Sequence, residues 1–300
     1  MMALFLTRRT WLKIHLWLGL VIGFFIAILG VSGSLLLLKK PILEWEIGRS
    51  ALYASPHSEH SEANTSAPDL WRQSAQQNYP QLIKIIGVAL PETGFIPATN
   101  VMVFGKTSLS NKLGIAFIDP IDASAKGFVI FDDLIFSQIV SLHSVLLLPQ
   151  NIGSWLVLSC GVVLTLSLIS GVILWWPKKG IKSLFSALID WHRGLKGAAK
   201  WRQWHYFVAI YLTIPLFVIT LSGILLSRPE LSSLLSLSSE NKRFISQLHS
   251  ELGLGFSGLI IAFLSGFVLP LLYVSGVIIW WKKRPHRRSQ VISTLNRNAK

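Results

Sequence analysis

The chain has 300 residues, a formal net charge of +14 and a mean hydropathy of +0.53, with 51% hydrophobic residues and 12 tryptophans. Four blocks free of Asp, Glu, Lys and Arg (14–38, 134–177, 203–227 and 252–281) exclude an ordinary soluble domain, because each exceeds the ~20 residues a helix needs to cross hydrocarbon. The basic excess hugs the ends of these blocks, which argues against a nucleic-acid surface, and the single cysteine, Cys160, excludes an intrachain disulfide, a thiolate cluster and covalent c-type haem attachment.

The first block follows Arg8, Arg9 and Lys13 and ends at Lys39-Lys40, with no small-residue cleavage site. It is expected to be an uncleaved transmembrane helix, residues 1–40 with its flanks. Residues 41–140 are expected outside the membrane. Ser55 to Pro68 is a Ser/Glu/His/Ala-rich linker containing His57 and His60. Leu70 to Tyr79 has helical spacing, and short apolar stretches follow at Leu82–Leu90, Asn100–Phe104, Gly114–Ile118 and Gly127–Phe131, separated by Gly, Pro, Asn and Asp. That pattern predicts a small helix-plus-antiparallel-strand module.

The second transmembrane helix is expected within 141–180, with Pro149 breaking the chain between His143 and the span proper. A cytoplasmic loop (181–204), a third helix (205–228, containing Pro215), an external loop (229–250), a fourth helix (251–282, containing Pro270) and a basic tail (283–300) complete the chain. The N-terminal flank, the segment 177–204 and the stretch after Trp281 carry 3, 7 and 7 of the 28 Lys/Arg residues, and Asp190 is their one acid. The positive-inside rule therefore puts both termini and the middle loop in the cytoplasm, with the basic residues as topology and lipid-headgroup anchors.

The chain also repeats itself. His15 lies 18 residues before Gly33 of Ser32-Gly33, and His205 lies 18 before Gly223 of Ser222-Gly223. Leu142-His143-Ser144 precedes a run ending in Ser170-Gly171 and Trp175-Trp176, as Leu248-His249-Ser250 precedes one ending in Ser275-Gly276 and Trp280-Trp281. The fold class is thus a mainly α membrane protein with four transmembrane helices as two repeated hairpins. A small α+β domain is inserted between helices 1 and 2, and a pseudo-twofold axis runs along the membrane normal.

Such an axis would set His15 against His205 near one surface and His143 against His249 near the other. Each couple is a candidate pair of axial ligands to the iron of a b-type haem. Eighteen residues make about five helical turns, so Gly33 and Gly223 should share a face with His15 and His205 and let a flat macrocycle approach. A histidine at a membrane interface is also an ordinary amphipathic anchor. His192, in Asp190-Trp191-His192-Arg193-Gly194, is read as solvated or headgroup-facing, and His286 belongs to the basic tail. Arg8, Arg9, Lys13, Lys200 and Arg202 could neutralise haem propionates, though positive-inside bias accounts for them equally well. No Walker loop, dinucleotide fingerprint, Ser-His-Asp constellation or HExxH occurs.

Trp11-Leu12-Lys13-Ile14-His15-Leu16-Trp17-Leu18-Gly19-Leu20, Leu142-His143-Ser144, Ser170-Gly171 before Trp175-Trp176, Arg202-Gln203-Trp204-His205 and Phe117-Ile118-Asp119-Pro120 with Gly127 resemble the PepSY-associated transmembrane helix family of bacteria, also known as iron-regulated membrane proteins. The resemblance implies a PepSY-like periplasmic domain at 41–140 and residence in the bacterial inner membrane. It implies two b-type haems, held by His15 with His205 and by His143 with His249. It further implies electron transfer from quinol or a cytoplasmic donor to a periplasmic acceptor, foremost a ferric siderophore. The alternatives are a membrane-anchored PepSY-type binding or regulatory protein without enzymatic activity, and a quinol-linked oxidoreductase serving another periplasmic acceptor.

Overall fold

The computed structural model describes residues 7–54, 68–93, 95–108, 111–177 and 183–283; His57, His60 and His286 lie outside them. In chain order the helices and strands are α1 (Arg8–Val21), α2 (Gly23–Leu37), α3 (Lys39–Ile47), α4 (Arg49–Leu52), α5 (Pro68–Asn78), β1 (Leu82–Ala89), β2 (Val101–Thr107), β3 (Leu113–Ile118) and β4 (Ala125–Ile130). They continue with α6 (Ile135–Val145), α7 (Gln150–Trp175), α8 (Leu184–Ile189), α9 (Gly197–Leu226), α10 (Pro229–Leu234), α11 (Ser239–Glu251) and α12 (Gly255–Lys283). Contacts divide the chain into a unit of residues 35–142 and a helical unit made of the rest.

The helical unit is built for lipid. Among the described residues α7, α9 and α12 are each long and apolar enough to cross a membrane, and only 11–17% of their most apolar windows is buried by protein. Leaving that much apolar surface in water would oppose folding, so the chain is a multi-pass membrane protein. The first expected span is not one straight helix. α1 and α2 meet at 60°, so the described residues hold three candidate spans, or four when the bent pair counts as one. The break falls at Ile22, whose N–H turns back to the carbonyls of Leu18 and Gly19. Gly19 and Gly23, both weak helix formers, flank it, and the ring of Tyr273 fills the space a side chain at Gly23 would need. Pro215 and Pro270 sit inside continuous helices.

α1 packs on α7, α7 on α9, α9 on α12 and α12 on α1, a closed ring in which α1 and α9 are diagonal. The short helices α6 and α11 are joined to α7 and α12 by one local device. Leu146 and Leu147 (φ 54° and 58°) turn the chain left-handed after α6, as Leu252 and Gly253 (φ 55° and 68°) do after α11. A glycine in the first turn of the following span, Gly153 or Gly258, then lies directly beneath the carbonyl of Val145 or Glu251, where no Cβ fits. Each of these carbonyls belongs to the second residue after a histidine, His143 or His249, so the turn fixes where that histidine stands.

In the other unit, β1-β2-β3-β4 form an antiparallel sheet in sequence order. The period-two alternation of strands sends Val101, Val103, Ala116 and Ile118 to a face covered by Trp71 and Ala75 of α5. It sends Met102, Ile115 and Phe117 to a second core with Leu43, Leu52 and Phe136. With both faces covered, β2 and β3 are mostly buried, which is why Val101–Phe104 and Ile115–Ile118 read as apolar runs. The buried Asn100 amide donates to the Ala51 carbonyl (2.8 Å). The buried Asp119 accepts from the Ile121 N–H (3.0 Å) and pairs with Lys126 (3.5 Å).

Candidate functional site

Four histidines of the helical unit meet as two couples. The ring centroids of His15 and His205 are 6.2 Å apart with planes at 89°, and those of His143 and His249 are 6.1 Å apart with planes at 47°. His15 and His205 belong to the diagonal helices α1 and α9, while His143 and His249 belong to α6 and α11.

Each ring is held by the same three groups, supplied by a Ser-Gly step on a neighbouring helix. His15 Nδ1 lies 3.0 Å from Ser170 Oγ and 3.1 Å from the Ser167 carbonyl. His143 Nδ1 lies 3.2 Å from Ser32 Oγ and 3.0 Å from the Leu29 carbonyl. His249 Nδ1 lies 3.4 Å from Ser222 Oγ and 2.9 Å from the Ile219 carbonyl. His205 Nδ1 lies 2.8 Å from Ser275 Oγ, with the Leu272 carbonyl again the backbone partner. The glycine that follows each serine lies against the ring's Cε1. A Cβ would come within 2.8 Å at Gly33 and Gly223, 3.4 Å at Gly171 and 3.8 Å at Gly276.

This arrangement fixes the tautomer. A carbonyl only accepts, so Nδ1 must carry the hydrogen. Each serine hydroxyl donates to a carbonyl of its own helix, three or four residues back, and its oxygen is thereby free to accept from Nδ1–H. All four serines are buried, so their bonds are not exchanged with water. Nε2 is left with its lone pair and, among the described residues, no hydrogen-bond partner. Four neutral, oriented imidazoles with a free Nε2 form the state in which histidine binds a metal.

The sequence reading put Gly33 on the face of His15 and Gly223 on that of His205. The structure instead places Gly33 against His143 and Gly223 against His249, while His15 rests on Gly171 and His205 on Gly276. For His15 and Gly33 the arithmetic of one straight helix does not survive the 60° bend after Val21; His205 and Gly223 lie on the one continuous helix α9, and each meets its contact on a different helix. The signal for the missing members was present, since Ser-Gly occurs at all four positions.

His15 and His205 line a cavity of about 200 Å³ between α1, α7, α9 and α12. Its walls are mostly Leu, Ile, Val, Ala and Gly with the rings of Trp175, Tyr206 and Tyr273, and Arg202 and Lys283 stand among them. The Arg8 guanidinium donates to the Leu174 carbonyl, whereas Arg9, Lys13 and Lys200 are exposed and do not line the cavity. Near the other couple, five residues beyond Gly223, Arg228 stacks on Trp155 (3.9 Å to the ring centroid) and pairs with Glu230. Its Nη1 is buried without a hydrogen-bond partner. His192 joins neither couple and lines a second cavity beside the first. Among the described residues no group of three or more His, Cys, Asp or Glu side chains could hold a bare metal ion.

Residues 12–241 match the family described as the PepSY-associated TM region. No curated protein matches the chain.

Proposed function

The chain belongs to the PepSY-associated transmembrane family, and on that premise we propose that it is a di-haem b electron carrier of the bacterial inner membrane that reduces a periplasmic acceptor, foremost an Fe(III)-siderophore. His15 with His205 and His143 with His249 would each hold one haem iron.

The observation that carries this reading is the spacing of the rings together with their free Nε2 atoms. A histidine nitrogen binds a first-row transition metal at ~2.0 Å. Two such bonds to one metal, plus about 1.1 Å from each nitrogen to its ring centre, would put the centroids about 6.2 Å apart. The two couples stand at 6.2 Å and 6.1 Å. Two nitrogens alone would under-coordinate an ion, and among the described residues no group of three or more His, Cys, Asp or Glu could hold one, so the remaining positions call for a ligand brought in with the metal. A planar macrocycle fits that requirement, and the glycines let the imidazole rings seat close against the neighbouring helices. Its carboxylates would meet Arg202 and Lys283 at one couple and the unpartnered Nη1 of Arg228 at the other.

When bound, b-type haem supplies a one-electron ferric/ferrous couple. The residues of this chain hold it in place, raise imidazole basicity through the Nδ1 bonds and keep water from the rings. Two couples at different depths divide a ~30 Å hydrocarbon layer into shorter steps. Reduction serves as release chemistry because hard oxygen ligands suit Fe(III) better than Fe(II). The cytoplasmic placement of the termini is supported by the Lys/Arg distribution. The ferric siderophore as acceptor rests on family kinship alone.

Purified protein is expected to show b-type bands in reduced-minus-oxidised spectra and two haems per chain. Replacing both His143 and His249 by alanine should leave one. Absence of b-type bands, or two haems retained in that variant, overturns the ligand assignment.

A further inference from the structure

A second cavity of about 230 Å³ adjoins that of His15 and His205, and the two share Trp175, Arg202, Tyr206 and Ile210 as common wall. It is formed where α8 and the segment 190–195 fold back on the start of α9. Tyr211 O–H donates to the Leu188 carbonyl (3.0 Å), and the Trp191 ring stands edge-on to Trp204 and Phe207 at 4.9 and 5.2 Å. Its lining combines aromatic surface with Asp190, His192 and Gln203. Among the described residues, no side chain pairs with these three.

We propose that this second cavity binds a membrane hydroquinone, with His192 and Asp190 accepting its two hydroxyl hydrogens. The proposal rests on the function above for the fate of the electrons. A hydroquinone is a flat ring with a hydroxyl at each end and an apolar tail. It needs a flat aromatic wall, two acceptors that can also take protons, and an opening to lipid. Trp175, Tyr206 and Phe207 supply the wall, and the Asp190 carboxylate and His192 imidazole are the acceptors. The exposed apolar surface of α9 at Tyr211 and Ile214 supplies the approach. A dinucleotide donor would need a phosphate cradle, and the sequence holds no such glycine motif.

Oxidation of one hydroquinone to the quinone breaks two O–H bonds. One proton goes to His192 and one to Asp190, and both pass to water. The two electrons would leave one at a time across the wall of Trp175 and Tyr206, and a haem held by His15 and His205 would supply the one-electron acceptor there. This gives Arg202 a place at both cavities and explains why a histidine outside the couples sits beside one of them.

The test is a titration of purified full-length protein with decylubiquinone, read as quenching of tryptophan fluorescence, which requires no haem. Saturable quenching is expected in the wild type. Affinity should fall about tenfold or more in the double variant His192→Ala/Asp190→Asn, with the b-type spectrum and thermal transition unchanged. His192→Gln keeps a hydrogen-bonding side chain and should retain binding, while decylubiquinol reduces its haem more slowly than that of the wild type. Absence of saturable quenching, equal affinity in the double variant, or wild-type haem that dithionite reduces and decylubiquinol does not would each overturn the proposal. Absence of b-type bands would overturn the preceding function, and the quenching titration would still decide the cavity.

Discussion

At Gly33 and Gly223 a methyl group would stand 2.8 Å from the Cε1 of His143 and His249, while at Gly276 it would stand 3.8 Å from that of His205. The first distance forces the ring aside, and the second is ordinary contact. Overpacking of this kind costs about 1–3 kcal/mol, equivalent to about 5- to 150-fold in an equilibrium constant. Gly33→Ala and Gly223→Ala should therefore weaken haem retention by the His143–His249 couple by that range, and Gly276→Ala should leave haem stoichiometry unchanged. The serines predict a second contrast. Ser275 Oγ lies 2.8 Å from His205 Nδ1, whereas Ser222 Oγ lies 3.4 Å from His249 Nδ1, which keeps the Ile219 carbonyl at 2.9 Å. A net hydrogen bond is worth about 1 kcal/mol, and acceptance from Nδ1–H makes the imidazole a better donor to the oxidised metal. Ser275→Ala should raise the midpoint potential of the haem at His15–His205, and Ser222→Ala should barely move that of its own. Equal shifts in a redox titration would contradict the role assigned to these hydroxyls.

Between elements, α2 and α12 cross where two glycines face each other. A Cβ on Gly30 would lie 2.5 Å from the Gly266 carbonyl oxygen, and Ser34 Oγ donates across the same contact to the Phe263 carbonyl (2.8 Å). Backbone cannot yield as a flexible side chain can, so Gly30→Ala should destabilise the bundle by about 1–3 kcal/mol. Gly19→Ala, with nothing within 4 Å of the added methyl, should be neutral or gain up to about 1 kcal/mol of helix propensity. Thermal unfolding in one detergent compares the two. This crossing also marks the limit of the sequence reading. Uncharged blocks located α7, α9 and α12, and short apolar stretches separated by Gly, Pro, Asn and Asp located β1 to β4 to within a few residues, because hydropathy and turn residues are properties of one segment. Beside the bend at Ile22, Gly23 packs against Tyr273, some 250 positions away, and the pairing of His143 with Ser32 and Gly33 crosses more than 100 residues. The histidines themselves were legible because they recur at matched places. Their cradles were legible only as an unexplained recurrence of Ser-Gly, since the partner of each step lies on another helix.

Across the whole molecule, α9 acts as a ruler. It carries His205 and, 17 residues later, Ser222, which holds His249. At 1.5 Å per residue the couples are ~25 Å apart along the helix, a large part of the ~30 Å hydrocarbon core. Each couple is assembled from four helical segments, α1, α7, α9 and α12 for His15–His205 and α2, α6, α9 and α11 for His143–His249, so that α9 alone is common to both. No residue that holds one couple's rings holds the other's. Sites that far apart without shared partners should respond independently, whereas the two members of a couple act as one unit. His15→Ala should thus lose the same single haem as His15→Ala/His205→Ala, because an iron with one protein ligand keeps little of its affinity. His15→Ala/His249→Ala should lose both haems although it removes no more histidines than the single-couple variant. Pyridine haemochrome analysis of the three variants separates these patterns. Proportional loss with the number of histidines removed would mean that each ring binds on its own, and the opposed geometry at 6.1–6.2 Å would then have no bearing on ligation.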